Sequence, residues 1–189
     1  MSTADINKWN GKYRSCDIIS TIEPDEELVF YQSLLPQQGA ALDLACGLGK
    51  NTLFLAQNGL MVTALDASAE GLEKLEISAQ FFHLEEWIKL LQADLDNFTF
   101  AKSCFDLILV VRYLNRALFY DIEQALKPGG LLIYKTFNHA MLQKMPEFNP
   151  TYTIETAELI AGFPGLELVA SNREEIESEF AFMIGRKPG

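Results

Sequence analysis

The stretch Ala41 to Asp66, ALDLACGLGKNTLFLAQNGLMVTALD, constrains the fold more than any other part of the chain. An apolar run enters a glycine-containing turn and a helical pattern follows. Gly59 stops that pattern, and a second apolar run ends in an aspartate. Short apolar runs without polar alternation read as strands buried on both faces, as in a parallel sheet. A strand, helix, strand connection of this kind closes as a right-handed crossover. Ligands of such sheets sit outside the carboxyl ends of the strands, where the turn Cys46-Gly47-Leu48-Gly49-Lys50 lies. Glycines admit close approach of backbone to ligand, and the helix that follows offers free N–H groups.

The remaining pattern continues the alternation. Residues 25–35 read as a helix, with Leu28, Tyr31 and Leu35 on one side. Strands are expected at Ala40–Ala45, Met61–Leu65, Trp87–Ala93, Phe105–Val111 and Leu131–Phe137. Helices are expected at Asn51–Asn58, after a Ser68 cap, at Leu114–Leu126 and at Thr156–Ala161, with Lys127-Pro128-Gly129-Gly130 as a sharp break. Two closing strands, Leu166–Ala170 and Phe180–Gly185, are joined by a short turn around Asn172-Arg173 and can pair only antiparallel. The expected fold class is α/β: a Rossmann-like, seven-stranded, mostly parallel sheet with an antiparallel last strand and helices on both faces. A dinucleotide dehydrogenase half would continue with further crossovers instead.

Composition narrows the partners. The chain has 189 residues and a formal net charge of -11. That length suits one domain, and that charge repels nucleic acid and anionic membranes. Three scattered cysteines, Cys16, Cys46 and Cys104, form no disulfide framework, and two distant histidines, His83 and His139, suggest no metal site. The opening MSTADINKWNGKYRS lacks an apolar signal core, and no apolar run reaches the length of a membrane span. A reduced, cytoplasmic protein is expected.

An adenosine cofactor is expected at the turn, because the Asp66 carboxylate can accept from two ribose hydroxyls. NAD and S-adenosylmethionine both meet that requirement. The dinucleotide fingerprint wants a third glycine where this chain has Thr52. Asp43, inside the first strand, would oppose a pyrophosphate but favour a sulfonium and an ammonium.

These residues resemble motif I of the class I S-adenosylmethionine-dependent methyltransferases: Asp43-Leu44-Ala45-Cys46-Gly47-Leu48-Gly49. The later marks of that family follow in order: Asp66, Ala93-Asp94-Leu95, Phe105-Asp106-Leu107-Ile108 and Leu126-Lys127-Pro128-Gly129-Gly130-Leu131. The resemblance implies S-adenosylmethionine as cofactor. It implies contacts from Asp43, Ala45, Gly47, Gly49, Asp66, Ala67, Ser68 and Val110, with Asp94 and the Leu95 backbone at the adenine. Lys8-Trp9-Asn10-Gly11-Lys12-Tyr13-Arg14 and Arg112-Tyr113-Leu114-Asn115-Arg116 are similar to segments of the small bacterial methyltransferases grouped with TehB, the tellurite-resistance methyltransferase, and with the thiopurine methyltransferases. On that likeness Tyr13 and Arg14 reach the methionine carboxylate. Residues 1–35 form a helical cap, 38–137 the cofactor core and 138–189 the substrate-side loop and antiparallel pair of a single methyltransferase domain.

Each of these residues also has a structural reading. Asp43 can instead order the glycine loop, Asp66 can cap the next helix, Asp96 can replace Asp94, and Trp9 can simply pack. Cys46 reads as a small buried residue, since methyl transfer from a sulfonium needs no thiol. On the acceptor side Arg112, Tyr113 and His139 are the candidates, with His139 the only imidazole placed to act as a base. Little chain remains for an acceptor cap beyond residues 1–35 and Asn138–Thr153. A small-molecule acceptor is therefore expected, with a soft nucleophile such as a thiol, tellurite or selenite following from the resemblance. An NAD-linked oxidoreductase, a non-catalytic S-adenosylmethionine-binding domain and a methyltransferase acting on a protein partner are the rival readings. Oligomeric state is not readable from these patterns.

Overall fold

The computed structural model describes residues 3–172 and 178–189. The chain divides into two units, Met1–Phe98 and Thr99–Gly189.

The first unit contains α1 (Thr3–Arg14), α2 (Glu26–Phe30), β1 (Gly39–Leu44), α3 (Lys50–Gln57), β2 (Leu60–Asp66), α4 (Ala69–Phe81) and β3 (Ile88–Gln92). Its strands lie in the order β3-β2-β1 and all run parallel. Leu42 and Leu44 of β1 are buried, as are Leu53 and Leu55 of α3. Leu53, Ala64, Leu75 and Ala79 form one apolar cluster, which holds α3 and α4 against β2. Ser68 caps α4 by accepting from the Gly71 amide at 3.1 Å. Gly59 ends α3 at φ +88°. His83 ends α4 in the left-handed region at φ +57°, a position usually given to glycine.

The single helix expected over residues 25–35 is not formed. α2 stops at Phe30 and a separate 3-10 turn covers Gln32–Leu34. Leu35 is extended at ψ 141°. Pro36 accounts for that, because the residue before a proline is forced away from the helical region.

The second unit contains β4 (Phe105–Val111), α5 (Phe119–Ala125), β5 (Leu126–Phe137), α6 (Met141–Lys144), α7 (Thr156–Ala161), β6 (Glu167–Ser171) and β7 (Phe180–Arg186). Its strands lie in the order β4-β5-β7-β6. β4 and β5 are parallel, whereas β7 runs antiparallel to both of its neighbours. The expected antiparallel ending is therefore present. Asn172 fastens it, accepting from the Phe182 amide at 3.0 Å and from Thr156 Oγ1 at 2.9 Å. Arg173, the other half of the expected turn, lies outside the described residues.

Two expectations are corrected here. The helix expected from Leu114 begins later, as a 3-10 turn at Arg116–Leu118 that runs into α5. Asn115 sets that start, since its side chain accepts from the Ala117 amide at 3.0 Å in an extended conformation. Lys127-Pro128-Gly129-Gly130 does not separate helix from strand. It bulges within β5, so that Phe105 pairs with Leu126 and Leu107 already pairs with Leu131.

Candidate functional site

At the carboxyl end of β1 the backbone turns sharply, and Ala45, Gly47 and Gly49 take φ of +61°, +57° and +81°. Glycine adopts this region without penalty, whereas Ala45 is strained there. The Ala45 and Cys46 amides both donate to the Leu65 carbonyl, at 2.8 and 3.1 Å, which anchors the turn to β2. A side chain at position 47 would come within 2.7 Å of the Tyr13 hydroxyl, and one at 49 would run into Leu75. Glycine is required at both places by space as well as by conformation.

Two carboxylates stand behind this turn. Asp66 Oδ2 accepts from the Gly47 amide at 2.8 Å, and its Oδ1 accepts from the Ser68 amide at 2.8 Å. The carboxylate has lone-pair capacity beyond these bonds for an incoming hydroxyl. Asp43 Oδ2 accepts from Thr52 Oγ1 at 2.6 Å, and the residue is 2% exposed. This bond gives Thr52, read in the sequence only as a missing glycine, a positive role. Burial pushes the Asp43 carboxyl up to about 7; the Thr52 hydroxyl draws it down and the Asp66 charge raises it further. Burial raises Asp66 too, against the pull of the Ser68 and Gly47 amides. Among the described residues neither acid makes an ion pair. Burial and these two acids also push the Cys46 thiol well up, which leaves it a poor nucleophile.

α1 covers the turn. Asn10 Oδ1 accepts from the Ser68 hydroxyl at 2.7 Å. The Tyr13 ring lies over Gly47 and Gly71 and stacks on Trp9 at 5.5 Å between centroids. Burial and the Asp66 carboxylate push the Tyr13 phenol up, so it stays protonated. Arg14 points elsewhere: its Nε donates to Glu70 Oε1 at 3.0 Å on the exposed surface. Ala67 is buried just after Asp66. The Ala93 amide donates to the Asp66 carbonyl at 3.1 Å, which sets the end of β3 beside that of β2. Asp94 closes its own turn, accepting from the Asp96 amide at 3.1 Å and from Asn97 Nδ2 at 2.6 Å, and Leu95 is buried.

The second unit carries the other sequence candidates at the ends of β4 and β5. Val110 is fully buried in β4. Arg112 follows β4 at φ +59°, with its amide donating to the Lys135 carbonyl at 2.8 Å and its guanidinium 5.8 Å from the centre of the Phe180 ring. Tyr113 is half-buried beside it. His139, after β5, is exposed, and its Nδ1 lies 2.6 Å from Thr153 Oγ1. Arg116 joins this group by donating to Glu158 Oε1 at 2.7 Å and to the Thr153 carbonyl at 3.1 Å. The sequence offered no signal for Thr153 or Glu158, because both reach His139 and Arg116 only through chain folding.

Residues 41–130 match a family model described as a methyltransferase domain. The putative methyltransferase YqeM of Bacillus subtilis (strain 168) is 29% identical over 127 residues, covering 62% of this chain and 50% of that protein. The chain spans about half the length of the curated relatives it matches. An S-adenosylmethionine-dependent methyltransferase structure from Mesorhizobium loti superposes with a TM-score of 0.71 at 17% identity, over 88% of this chain and 100% of that one. TehB from Haemophilus influenzae superposes with a TM-score of 0.73 at 21% identity, over 88% of this chain and 63% of TehB. The chain has the Rossmann-like fold of the class I S-adenosylmethionine-dependent methyltransferases. The matched segment takes in the glycine turn, both buried acids and the bulge of β5. The likeness to TehB extends to the fold alone.

The first unit suits the cofactor that this fold implies. Glycine is forced at both positions of the turn, and two buried acids lack a compensating cation among the described residues. A cationic ligand without phosphate supplies the missing charge.

Proposed function

We propose that this chain is an S-adenosylmethionine-dependent methyltransferase acting on a small-molecule acceptor. The observation that carries the proposal is the Asp66 carboxylate, buried at the end of β2 and bonded to the Gly47 amide of the turn. Asp66 would hold the ribose, with Ala67 and Ser68 beside the adenosine and Asp94 and Leu95 toward the base. Asp43, Ala45, Gly47 and Gly49 would hold the methionine part, with Tyr13 on the side of its carboxylate, while Arg14 is held away by Glu70. Val110 is proposed as a further cofactor contact on the family resemblance alone. The cofactor supplies a methyl group activated by a positively charged sulfur. The chain orients donor and acceptor, keeps water away and contributes negative charge where the sulfonium sits, so proximity supplies much of the acceleration.

On this reading residues 1–35 are a cap, 38–137 bind the cofactor, and 138–189 carry the acceptor loop of a single domain. Arg112, Tyr113 and His139 line the acceptor side. The acceptor is proposed to be a soft nucleophile of the thiol, tellurite or selenite type, which attacks a sulfonium methyl readily. Nucleic acid is disfavoured as an acceptor by the net charge of -11. No helix among the described residues is long and apolar enough to cross a membrane. The cytoplasm is the proposed compartment, in keeping with three free cysteines.

The test is transfer of a labelled methyl group from S-adenosylmethionine to a panel of thiols, selenite and tellurite. Label should pass to at least one acceptor with the wild type and to none with Asp66→Ala. Tight cofactor binding without transfer to any acceptor would instead favour a binding domain.

A further inference from the structure

The loop after β5 contains an arrangement that defines the protonation of one imidazole. Thr153 Oγ1 lies 2.8 Å from the Pro150 carbonyl and 2.6 Å from His139 Nδ1. A hydroxyl has a single proton to give, and a carbonyl can only accept. The proton of Thr153 therefore goes to Pro150, since otherwise two acceptor oxygens would face each other at 2.8 Å. Its oxygen must then accept from the ring, and Nδ1 carries the hydrogen. Nε2 is left with a free lone pair on an exposed residue. Protonating Nε2 leaves the bond to Thr153 intact, so the ring can take up and release a proton there without moving.

Thr153 is itself immobilised. It is fully buried, bridges to Phe137 at the end of β5, and its carbonyl accepts from Arg116. The Ile154 amide donates to the Phe137 carbonyl at 2.9 Å, which fixes the same segment to the strand. Two ion pairs flank this loop, Arg116 with Glu158 and Lys144 with Glu179. Among the described residues of the second unit, this loop combines a buried positioning hydroxyl with an imidazole nitrogen at the carboxyl end of a strand, where ligands of such sheets bind.

We infer that His139, held by Thr153, is the general base of methyl transfer, and that the acceptor is a nucleophile with a proton to lose. The inference rests on the methyltransferase reading and narrows it to a protic acceptor such as a neutral thiol, away from an oxyanion such as tellurite. The acceptor X–H gives its proton to Nε2 as the lone pair on X forms the bond to the methyl carbon. The carbon–sulfur bond breaks with its electron pair going to sulfur, leaving a neutral thioether. The imidazolium then releases its proton to water. Thr153 acts here as a positioning residue.

The test uses the full chain labelled with nitrogen-15 at histidine, with His139→Gln to assign the two rings. Wild type should show His139 as the Nδ1–H tautomer, Thr153→Val should show a mixture, and Thr153→Ser should restore the single form. Thermal unfolding of each variant checks that it is folded. In parallel, S-adenosylhomocysteine binding is measured together with methyl transfer to 2-mercaptoethanol, a largely protonated thiol at neutral pH, and to 4-nitrothiophenol, which is already ionised. His139→Gln should bind S-adenosylhomocysteine within about twofold of wild type. It should lose about 100- to 10,000-fold in transfer to 2-mercaptoethanol, with far less lost for 4-nitrothiophenol. The rising limb of kcat/KM against pH for 2-mercaptoethanol should vanish in the same variant.

An Nε2–H tautomer in wild type overturns the inference. So does unchanged transfer in His139→Gln, or transfer by wild type to neither thiol while the cofactor product binds. Absence of S-adenosylhomocysteine binding in wild type overturns the underlying reading instead.

Discussion

Asp66 and Gly47 are joined by a 2.8 Å hydrogen bond from the Gly47 amide to the carboxylate, which locks the turn after β1 to the end of β2. The other carboxylate oxygen takes the Ser68 amide at the same distance. One residue therefore shapes the cradle and retains lone pairs for a ligand. Asp66→Ala leaves two buried amides without a partner. It should destabilise the protein by about 1–3 kcal/mol for each. Urea unfolding measures this, and a loss near zero would show that the turn holds its shape without Asp66.

Gly49 and Gly129 separate conformation from space. Both have positive φ, +81° and +78°, but a Cβ at 129 meets nothing within 4 Å whereas one at 49 strikes Leu75. Gly129→Ala should cost about 1–2 kcal/mol, the strain of an L residue in the left-handed region. Gly49→Ala should cost about 1–3 kcal/mol more through overpacking. Equal melting temperatures for the two variants would contradict this account.

Asp43 makes stability depend on pH. Its carboxyl is raised from about 3.9 in an unfolded chain to about 7 in the fold. A raised carboxyl binds its proton more tightly in the folded state, so its contribution is fully present below about pH 4 and is lost as pH rises through about 7. Asp66 is raised as well and acts in the same direction. Wild type should therefore lose stability between about pH 4 and about 7 relative to Asp43→Asn, which has no proton to lose. Urea midpoints across that range decide the matter; parallel curves for the two proteins would refute it.

Tyr13 and Arg14 are neighbours in sequence but differ in placement. Tyr13 lies over Gly47, whereas Arg14 is held by Glu70 at the surface. Tyr13→Ala should weaken S-adenosylhomocysteine binding at least tenfold, and Arg14→Ala should change it less than about threefold, as expected for a solvent-exposed ion pair. The reverse ranking would place the methionine carboxylate on the arginine.

Much of this was legible from residue types that the backbone itself demands. Gly47 and Gly49 occupy left-handed positions in tight space, and Ser68 and Gly59 mark helix ends, so local chemistry announced them. β4 and α7 were readable to the residue, because nothing interrupts their patterns. Ala45 was not readable as a left-handed residue, since alanine carries no mark of a positive φ. Nor was the bulge in β5, where a proline–glycine break promised a loop but strand pairing continues on either side. The Asp43–Thr52 and His139–Thr153 bonds join residues by tertiary folding, and no periodicity records such contacts.

The most direct measurement is calorimetric titration of the wild type and Asp66→Ala with S-adenosylhomocysteine, with NADH as a control. Saturable binding of S-adenosylhomocysteine to the wild type, its collapse in Asp66→Ala and no heat with NADH is the result expected of a sulfonium-cofactor cradle. Binding of NADH with no response to S-adenosylhomocysteine would contradict the assignment of the turn and of the function built on it.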